Sequence, residues 1–371
     1  MGLKLDSPIP QTHEYLCLVK ANYLIVGQGI AGSAMAIELL RRGKSVVVIN
    51  KEGKSLSSNV AAGVYNPFNF RRMIPTWEAV KACRAANELY SAAEAITGAT
   101  FHEKKQIVRI FPSAQERDAF IAYCAKDDGF FAGKFIGDPL PGKVNAPHGA
   151  GTINGGGVVN TAAYMYAVQQ YFAAQNAYRD EWFDSEKLII ESDKVVYDDR
   201  ITTDKIVFCE GHLALENPLF PELPLAPTKG EIIHVSIPDL NLEQVLNGPV
   251  YLAPLGNDLY DCGATFNPGK ADENVTPEGR EELLRKLSGL LSIPFRPESQ
   301  FAGVRPAGRD RKPLVGVHPV YRHVGMLNGS GSKGILLTPL LAQSLVDHME
   351  TGAEIPLECD IIRFKKTKKR R

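Results

Sequence analysis

Between residues 22 and 50 the apolar positions change period twice. Tyr23–Val26 is an uninterrupted apolar run, the mark of a strand buried on both faces. Small residues with Ile30, Ala34, Ile37 and Leu40 follow at helical spacing, Gly43 stops that helix, and Val46–Ile49 is a second buried strand. The pattern predicts a strand–helix–strand unit. A helix is next predicted from an N-cap at Thr76, followed by Trp77, to a stop at Gly98, then a strand over 105–111. Residues 129–157 read as loop, with three glycines at 155–157, and Asn160 or Thr161 caps a helix through Ala177. Strands are predicted at 187–190, 204–209, 231–237, 249–253 and 258–264. Thr276, Pro277 and Glu278 supply an N-cap, a first-position proline and a first-turn acid to a helix with Leu283, Leu284, Leu287, Leu290 and Leu291 on one face. Strands near 299–304, 313–317 and 323–328 lead to a last helix ending about Gly352, which starts either near Gly334 or at a Thr338 N-cap with Pro339 after it. Helix and strand mingle without repeats, so a second domain is expected to be inserted rather than appended.

Composition narrows the class. With 371 residues, 44% hydrophobic and 23% charged, the chain can bury a sizeable core and has room for about two domains. The formal charge is zero, but residues 363–371 (RFKKTKKRR) hold seven of the 42 Lys and Arg. Residues 1–362 therefore carry 35 basic against 42 acidic side chains, a net −7 that argues against a body-wide nucleic-acid surface. The tail is expected to be a solvated end. No apolar run is long enough for a membrane span, and no signal-peptide order appears at the start. The six cysteines lie at least 41 residues apart, which excludes CxxC pairs and suits a reducing compartment. A cytoplasmic enzyme is the expectation, with no metal site, since no HExxH, nucleophile elbow or P-loop is present.

Gly27-Gln28-Gly29-Ile30-Ala31-Gly32 places GxGxxG between a predicted strand and helix. Gly27 permits the turn, Gly29 lets backbone approach a pyrophosphate, and Gly32 lets helix and strand pack closely, with the anion on the helix N-terminus. The fingerprint expects Asp or Glu at the end of the second strand to accept ribose hydroxyls. Here Asn50 stands there, with Lys51 beside it and Glu52 two residues on, so either Asn50 or Glu52 is the ribose partner. GxGxxG alone does not choose between a nicotinamide and a flavin dinucleotide. The small-residue run Ser57-Ser58-Asn59-Val60-Ala61-Ala62-Gly63 suggests backbone laid close to a flat ligand.

Taken in order, these pieces resemble a known family. GxGxxG, the SSxxAAGxxxP run, CEGHLA (209–214), PTKGEIIHV (227–235), VYLAPLGNDLYDCGAT (250–265), AGVRPAGRDRKPLVG and GSKGILLTP occur as in the FAD-dependent D-amino-acid oxidase, glycine oxidase and sarcosine oxidase superfamily, from about residue 22 to 350. The resemblance implies an α/β fold: a Rossmann-like FAD domain with a substrate domain on a mixed, largely antiparallel sheet. The FAD domain is expected from residues 20–80, 150–215 and 300–352, the substrate domain from 81–149 and 216–299, and the tail from 353–371.

The resemblance also implies residue roles. Noncovalent FAD is expected against Gly27, Gly29, Ile30, Ala31, Gly32, Asn50, Lys51, Ser58, Ala61, Ala62, Gly63, Glu210, Gly211, Arg305, Gly331, Ser332, Lys333, Gly334 and Ile335. Arg305 matches the arginine that holds the substrate carboxylate, and Tyr251 an active-site tyrosine of the glycine oxidase branch. Ser330-Gly331-Ser332-Lys333 replaces a run that carries a second substrate-side arginine in glycine oxidases. The implied chemistry is oxidation of a C–N bond of an amine or amino acid by hydride transfer to flavin N5, with oxygen or a quinone or other electron carrier as acceptor. Lys229, Lys333 and Arg309 are further cations without an assigned place. Two alternatives accompany this reading: oxidation of a carboxymethylaminomethyl group on tRNA, and a flavin- or nucleotide-binding protein without turnover.

Overall fold

The computed structural model describes residues 18–51, 53, 57–126, 129–131 and 133–364; Glu52 and the basic tail from residue 365 lie outside the described residues. Strand β1 (Val19–Val26), helix α1 (Ile30–Arg41) and strand β2 (Val46–Asn50) form the expected unit, with β1 and β2 parallel and Val26 beside Ile49. Tyr23 and Ile25 are buried in one core and Leu24 and Val26 in another, on the two faces of the sheet. Both faces are covered, so the strand reads as continuous apolar sequence instead of alternating.

The longer described helices after α1 are α2 (Ala79–Thr97), α3 (Ala114–Cys124), α4 (Thr161–Ala174), α5 (Pro277–Leu290) and α6 (Gly334–Thr351). The first sheet grows by parallel pairing of Tyr178–Asp180 with β2, Ile201–Phe208 with β1, and Val324–Asn328 with Ile201–Phe208. Antiparallel strands Val195–Tyr197, Leu188–Ile190 and Leu314–Val317 complete it. α1, α2, α4 and α6 pack together on one face.

The second sheet is built on Leu225–Ser236, paired with Arg296–Gly308 and Leu259–Gly263 and continuing through Tyr251–Gly256, Val245–Asn247, Ile107–Ile110, Ala150–Ile153 and Lys134–Gly137. Every pairing in it is antiparallel except that of Val245–Asn247 with Ile107–Ile110. Leu283, Leu287 and Leu290 of α5 cover one face against Ile233, Val235 and Leu246. Successive side chains point to opposite faces. Glu231 therefore reaches α5, accepting from the Thr276 backbone N–H (2.8 Å), the Thr276 hydroxyl (2.7 Å) and Gln300 Nε2 (2.7 Å). Lys229 shares that side, its ammonium donating to Asp272 at 2.6 Å.

Several elements differ from expectation for identifiable reasons. α2 starts at Ala79, after a left-handed Glu78, because residues 74–75 first pair back onto Phe68–Asn69. α4 ends at Ala174, short of Ala177, as the chain turns into the Tyr178–Asp180 strand. The 129–157 segment contains two strands of the second sheet, and α3 precedes it. α6 starts at Gly334 with Pro339 inside it. The Ile335 carbonyl that Pro339 cannot serve accepts instead from the Tyr90 hydroxyl at 2.7 Å, which relieves the usual cost of an interior proline. Helix α2, expected in the substrate part, packs through Ala82, Ala86, Leu89 and Tyr90 into the first core. Residues 300–308 and Ala150–Ile153, expected in the FAD part, run in the second sheet; the strand Arg296–Gly308 spans 13 residues and reaches the first unit through an Ala307–Ser330 bridge.

Candidate active site

A cleft of about 1010 Å³ opens at the carboxyl ends of β1, β2 and Ile201–Phe208, with the second sheet as its other wall. Ligands of open parallel sheets bind at those strand ends, and this volume is at the top of the usual range of roughly 300–1,000 Å³. The turn after β1 forms its floor. Gly27 is left-handed (φ +91°), and a Cβ there would sit 2.7 Å from the Cys209 carbonyl oxygen. A Cβ on Gly32 would come within 1.8 Å of the Gly27 carbonyl oxygen. Gly32 thus seats α1 against the turn and lies off the cleft surface, whereas Gly27, Gly29, Ile30 and Ala31 line it. Gly29 is the N-cap of α1 and brings no side chain; the Ile30 N–H donates to Ser58 Oγ at 3.2 Å.

Asn50 faces the cleft at the end of β2. Its Oδ1 accepts from the Gln28 N–H (2.9 Å) and its Nδ2 donates to the Tyr178 hydroxyl (3.2 Å). Lys51 also lines the cleft and pairs with Asp180 at 3.1 Å. Ser58, Ala61, Ala62 and Gly63 follow along the wall. Gly63 is a glycine for a reason other than ligand approach: its φ is +66° and a Cβ would lie 1.7 Å from the Val159 carbonyl oxygen. Glu210 and Gly211 line the cleft behind Gly27. Burial pushes the Glu210 carboxyl up to about 7, against the lowering effect of the Asn217 amide donating to it at 2.7 Å.

Gly331, Ser332, Gly334 and Ile335 bring the N-terminus of α6 to the same cleft, again without a side-chain cap. Lys333 does not join them. Its ammonium donates to the Asn66 carbonyl at 2.6 Å, and burial brings its pKa down to about 8. Met165, Tyr166, Gln169, Glu181, Trp182 and Phe183 also line the cleft, although no motif marks them in the sequence. Met165, Tyr166 and Gln169 stand on α4, and Glu181, Trp182 and Phe183 arrive because the chain after α4 pairs with β2.

The second-sheet wall carries Gly230, Ile232, Asn247, Tyr251, Ala264 and Arg305. Arg305 is largely buried and its guanidinium lies over Gly230, where a Cβ would be 2.2–2.3 Å from its terminal atoms. Its recorded partners are carbonyls at a distance, Thr265 (3.3 Å) and Lys229 (3.4 Å), and among the described residues it has no ion pair. Burial lowers its pKa, while the neighbouring Tyr251 acts in the opposite sense. Tyr251 lies over Gly263, and burial holds its phenol neutral. Lys229 and Arg309 do not line the cleft: the first points to α5 and the second is exposed.

Two helix N-termini whose N-cap residues make no side-chain cap open on one cleft, over a glycine floor, and fit a dinucleotide: helix-end N–H groups and the helix dipole favour a pyrophosphate and an electron-rich ring edge. Comparison with known proteins agrees. The chain is 26% identical over 377 residues to glycine oxidase of Geobacillus kaustophilus, covering 93% of this chain and 96% of that one. The crystal structure of glycine oxidase from Geobacillus kaustophilus superposes with a TM-score of 0.75 at 23% identity, covering 91% and 97%. Two tRNA 5-methylaminomethyl-2-thiouridine biosynthesis bifunctional proteins, from Azoarcus sp. and Idiomarina loihiensis, are 28% and 30% identical over 39% and 44% of this chain. Those matches span only 26% and 28% of the relatives' own lengths. Residues 22–348 match the FAD dependent oxidoreductase (DAO) family, so this chain belongs to that family, an enzyme class whose cofactor is FAD.

Proposed function

We propose that this chain oxidises the carbon–nitrogen bond of an amine that carries a carboxylate, an amino acid or an N-substituted amino acid. One observation carries the reading: Arg305, a largely buried guanidinium on the cofactor cleft with no acid to neutralise it among the described residues. Burying a cation unpaired costs several kcal/mol, and a planar fork matches a carboxylate with two parallel hydrogen bonds. Bound FAD supplies the two-electron acceptor for the hydride on the carbon next to nitrogen. Arg305 anchors the carboxylate and so fixes where that carbon lies. Tyr251 offers its neutral hydroxyl beside it, and Ile232 and Ala264 exclude water from the reacting bond.

Rapid-mixing reduction of the flavin by a panel of amines and amino acids tests the reading. Arg305→Ala should weaken the apparent affinity for a carboxylated substrate by about 2–5 kcal/mol while flavin content stays normal. Arg305→Lys should recover only part, because a point charge does not reproduce the fork. Reduction by the alanine variant at the wild-type rate and half-saturation would make Arg305 structural.

The partial matches to tRNA-modifying proteins support a second reading. The same oxidation would act on a carboxymethylaminomethyl group of tRNA, whose carboxylate Arg305 would equally hold. Flavin reduction by tRNA bearing that group, without reduction by free amino acids, would select it.

A further inference from the structure

Asn247 stands on the cleft wall and no sequence motif points to it. Its amide orientation is decided by its neighbour. Arg109 donates from Nη1 to Asn247 Oδ1 at 2.8 Å, and a guanidinium has no acceptor, so the oxygen and not the nitrogen must face it. Arg109 is itself held: its Nε donates to Glu116 Oε1 at 2.7 Å, and its guanidinium lies 5.5 Å from the centre of the Phe70 ring. With the oxygen engaged, the Asn247 NH2 group has no recorded partner among the described residues.

Its place relative to the other polar groups follows from strand register. Asn247 pairs with Tyr251, Tyr251 with Gly263, and Gly263 with Ile232. Directly opposed residues share a face, so Asn247, Tyr251 and Ile232 form one row across the cleft side of the sheet, about 4.8 Å per strand. Arg305 lies over Gly230, two positions along the strand from Ile232 at that row's far end and so on the same face. The wall thus presents a guanidinium at one end, a phenol between, and a preset amide donor at the other end. No carboxylate lies in the row, so every fixed charge and oriented amide on it seeks an acceptor.

We propose that Asn247 is a specificity-determining residue: its NH2 group binds a second acceptor, a carboxylate or carbonyl oxygen, on the substrate, beyond the carbon–nitrogen bond from the carboxylate that Arg305 holds. This rests on the amine-oxidation reading above and narrows it. The substrate class becomes amino acids whose side chain or N-substituent ends in an oxygen acceptor, as opposed to glycine-sized or purely aliphatic ones.

The test uses FAD-loaded enzyme and shape-matched pairs: aspartate against leucine, each as both enantiomers, and N-(carboxymethyl)glycine against N-isobutylglycine. Flavin reduction is followed by rapid mixing. The acceptor-bearing member of at least one pair should be preferred about tenfold or more, the size of one charge-assisted hydrogen bond. Asn247→Asp keeps an oxygen for Arg109, so the fold is retained, but it replaces the donor by a negative charge and should abolish or invert the preference. Asn247→Leu should abolish it by removing the donor. Flavin content and thermal midpoint, measured on both variants, separate this effect from misfolding. Wild-type enzyme without the preference, or Asn247→Asp that keeps it, overturns the assignment while leaving amine oxidation standing. A flavin that no carboxylated amine reduces overturns both.

Discussion

Gly230→Ala isolates the positioning of Arg305 from its charge. The added Cβ would stand 2.2–2.3 Å from Arg305 Nη1, Nη2 and Cζ, whereas ordinary carbon contacts begin near 3.4 Å. The guanidinium must therefore move by more than an ångström. It is the end of a flexible side chain, so the strain is relieved there and not in the sheet. Alanine is compatible with the strand conformation, and global stability should change by less than about 1 kcal/mol. A misplacement of about 1 Å in a substrate-positioning group can cost on the order of 10²-fold, equivalent to roughly 2.7 kcal/mol. The readout is the ratio of limiting flavin reduction rate to half-saturation for the preferred carboxylated amine, in wild type, Gly230→Ala, Arg305→Ala and the double variant. If Gly230 acts only through Arg305, the alanine at 230 should have no further effect once the arginine is gone. A wild-type ratio in Gly230→Ala, or additive losses in the double variant, would refute the reasoning.

Three further outcomes are expected. Asn50→Asp keeps an acceptor for the Gln28 N–H and adds charge toward the ribose, so the dissociation constant of FAD from refolded apoprotein should tighten by about 1 kcal/mol; an unchanged constant would show that the ribose is held elsewhere. Gly32→Ala drives a carbon to within 1.8 Å of a backbone oxygen and should yield protein without flavin, whereas acid precipitation of the wild type should release its FAD into the supernatant; a flavin-replete Gly32→Ala variant contradicts the packing argument. Glu210 is mostly neutral below its raised pKa of about 7 and an anion above it. Because it lines the cofactor cleft, FAD binding by apoprotein should weaken above that pH, by at most tenfold per unit, and Glu210→Gln should flatten the profile; an equal slope in both proteins excludes Glu210 as the titrating group.

How much was legible in sequence differs by element. The β1–α1–β2 unit, the Thr276 cap with Pro277 and the Gly352 stop are local devices: their hydrogen bonds or buried faces involve residues within a few positions, so spacing reports them. α3 carries one local signal, Ser113 accepting from the Glu116 N–H as an N-cap, but Phe120 is its one buried side chain, so no apolar period marks the helix in the sequence. Lys134–Gly137 was hidden because its side chains are largely exposed at a sheet edge, leaving no apolar period to read. The start of α6 stays open in the sequence between Gly334 and Thr338, because an interior Pro339 depends on Tyr90, 249 positions away, taking the freed Ile335 carbonyl.

The amino-acid sequence by itself determined the dinucleotide turn, the choice of family and the candidate arginine, because glycine placement and motif order survive without coordinates. Tertiary structure decided which of the named residues share a surface. Gly32 and Lys333 lie off the cleft, and Lys229 belongs to a buried network under α5. Arg305 reaches the cleft wall because Gly230, on a neighbouring strand, leaves space for its guanidinium. Asn247 becomes a donor only because Arg109, on a strand 138 residues earlier, occupies its oxygen. Spacing along a chain encodes contacts within a turn of helix or a pair of strands. The direction of an amide and the absence of a counter-ion depend on contacts between distant segments, and those exist only once the sheets have formed.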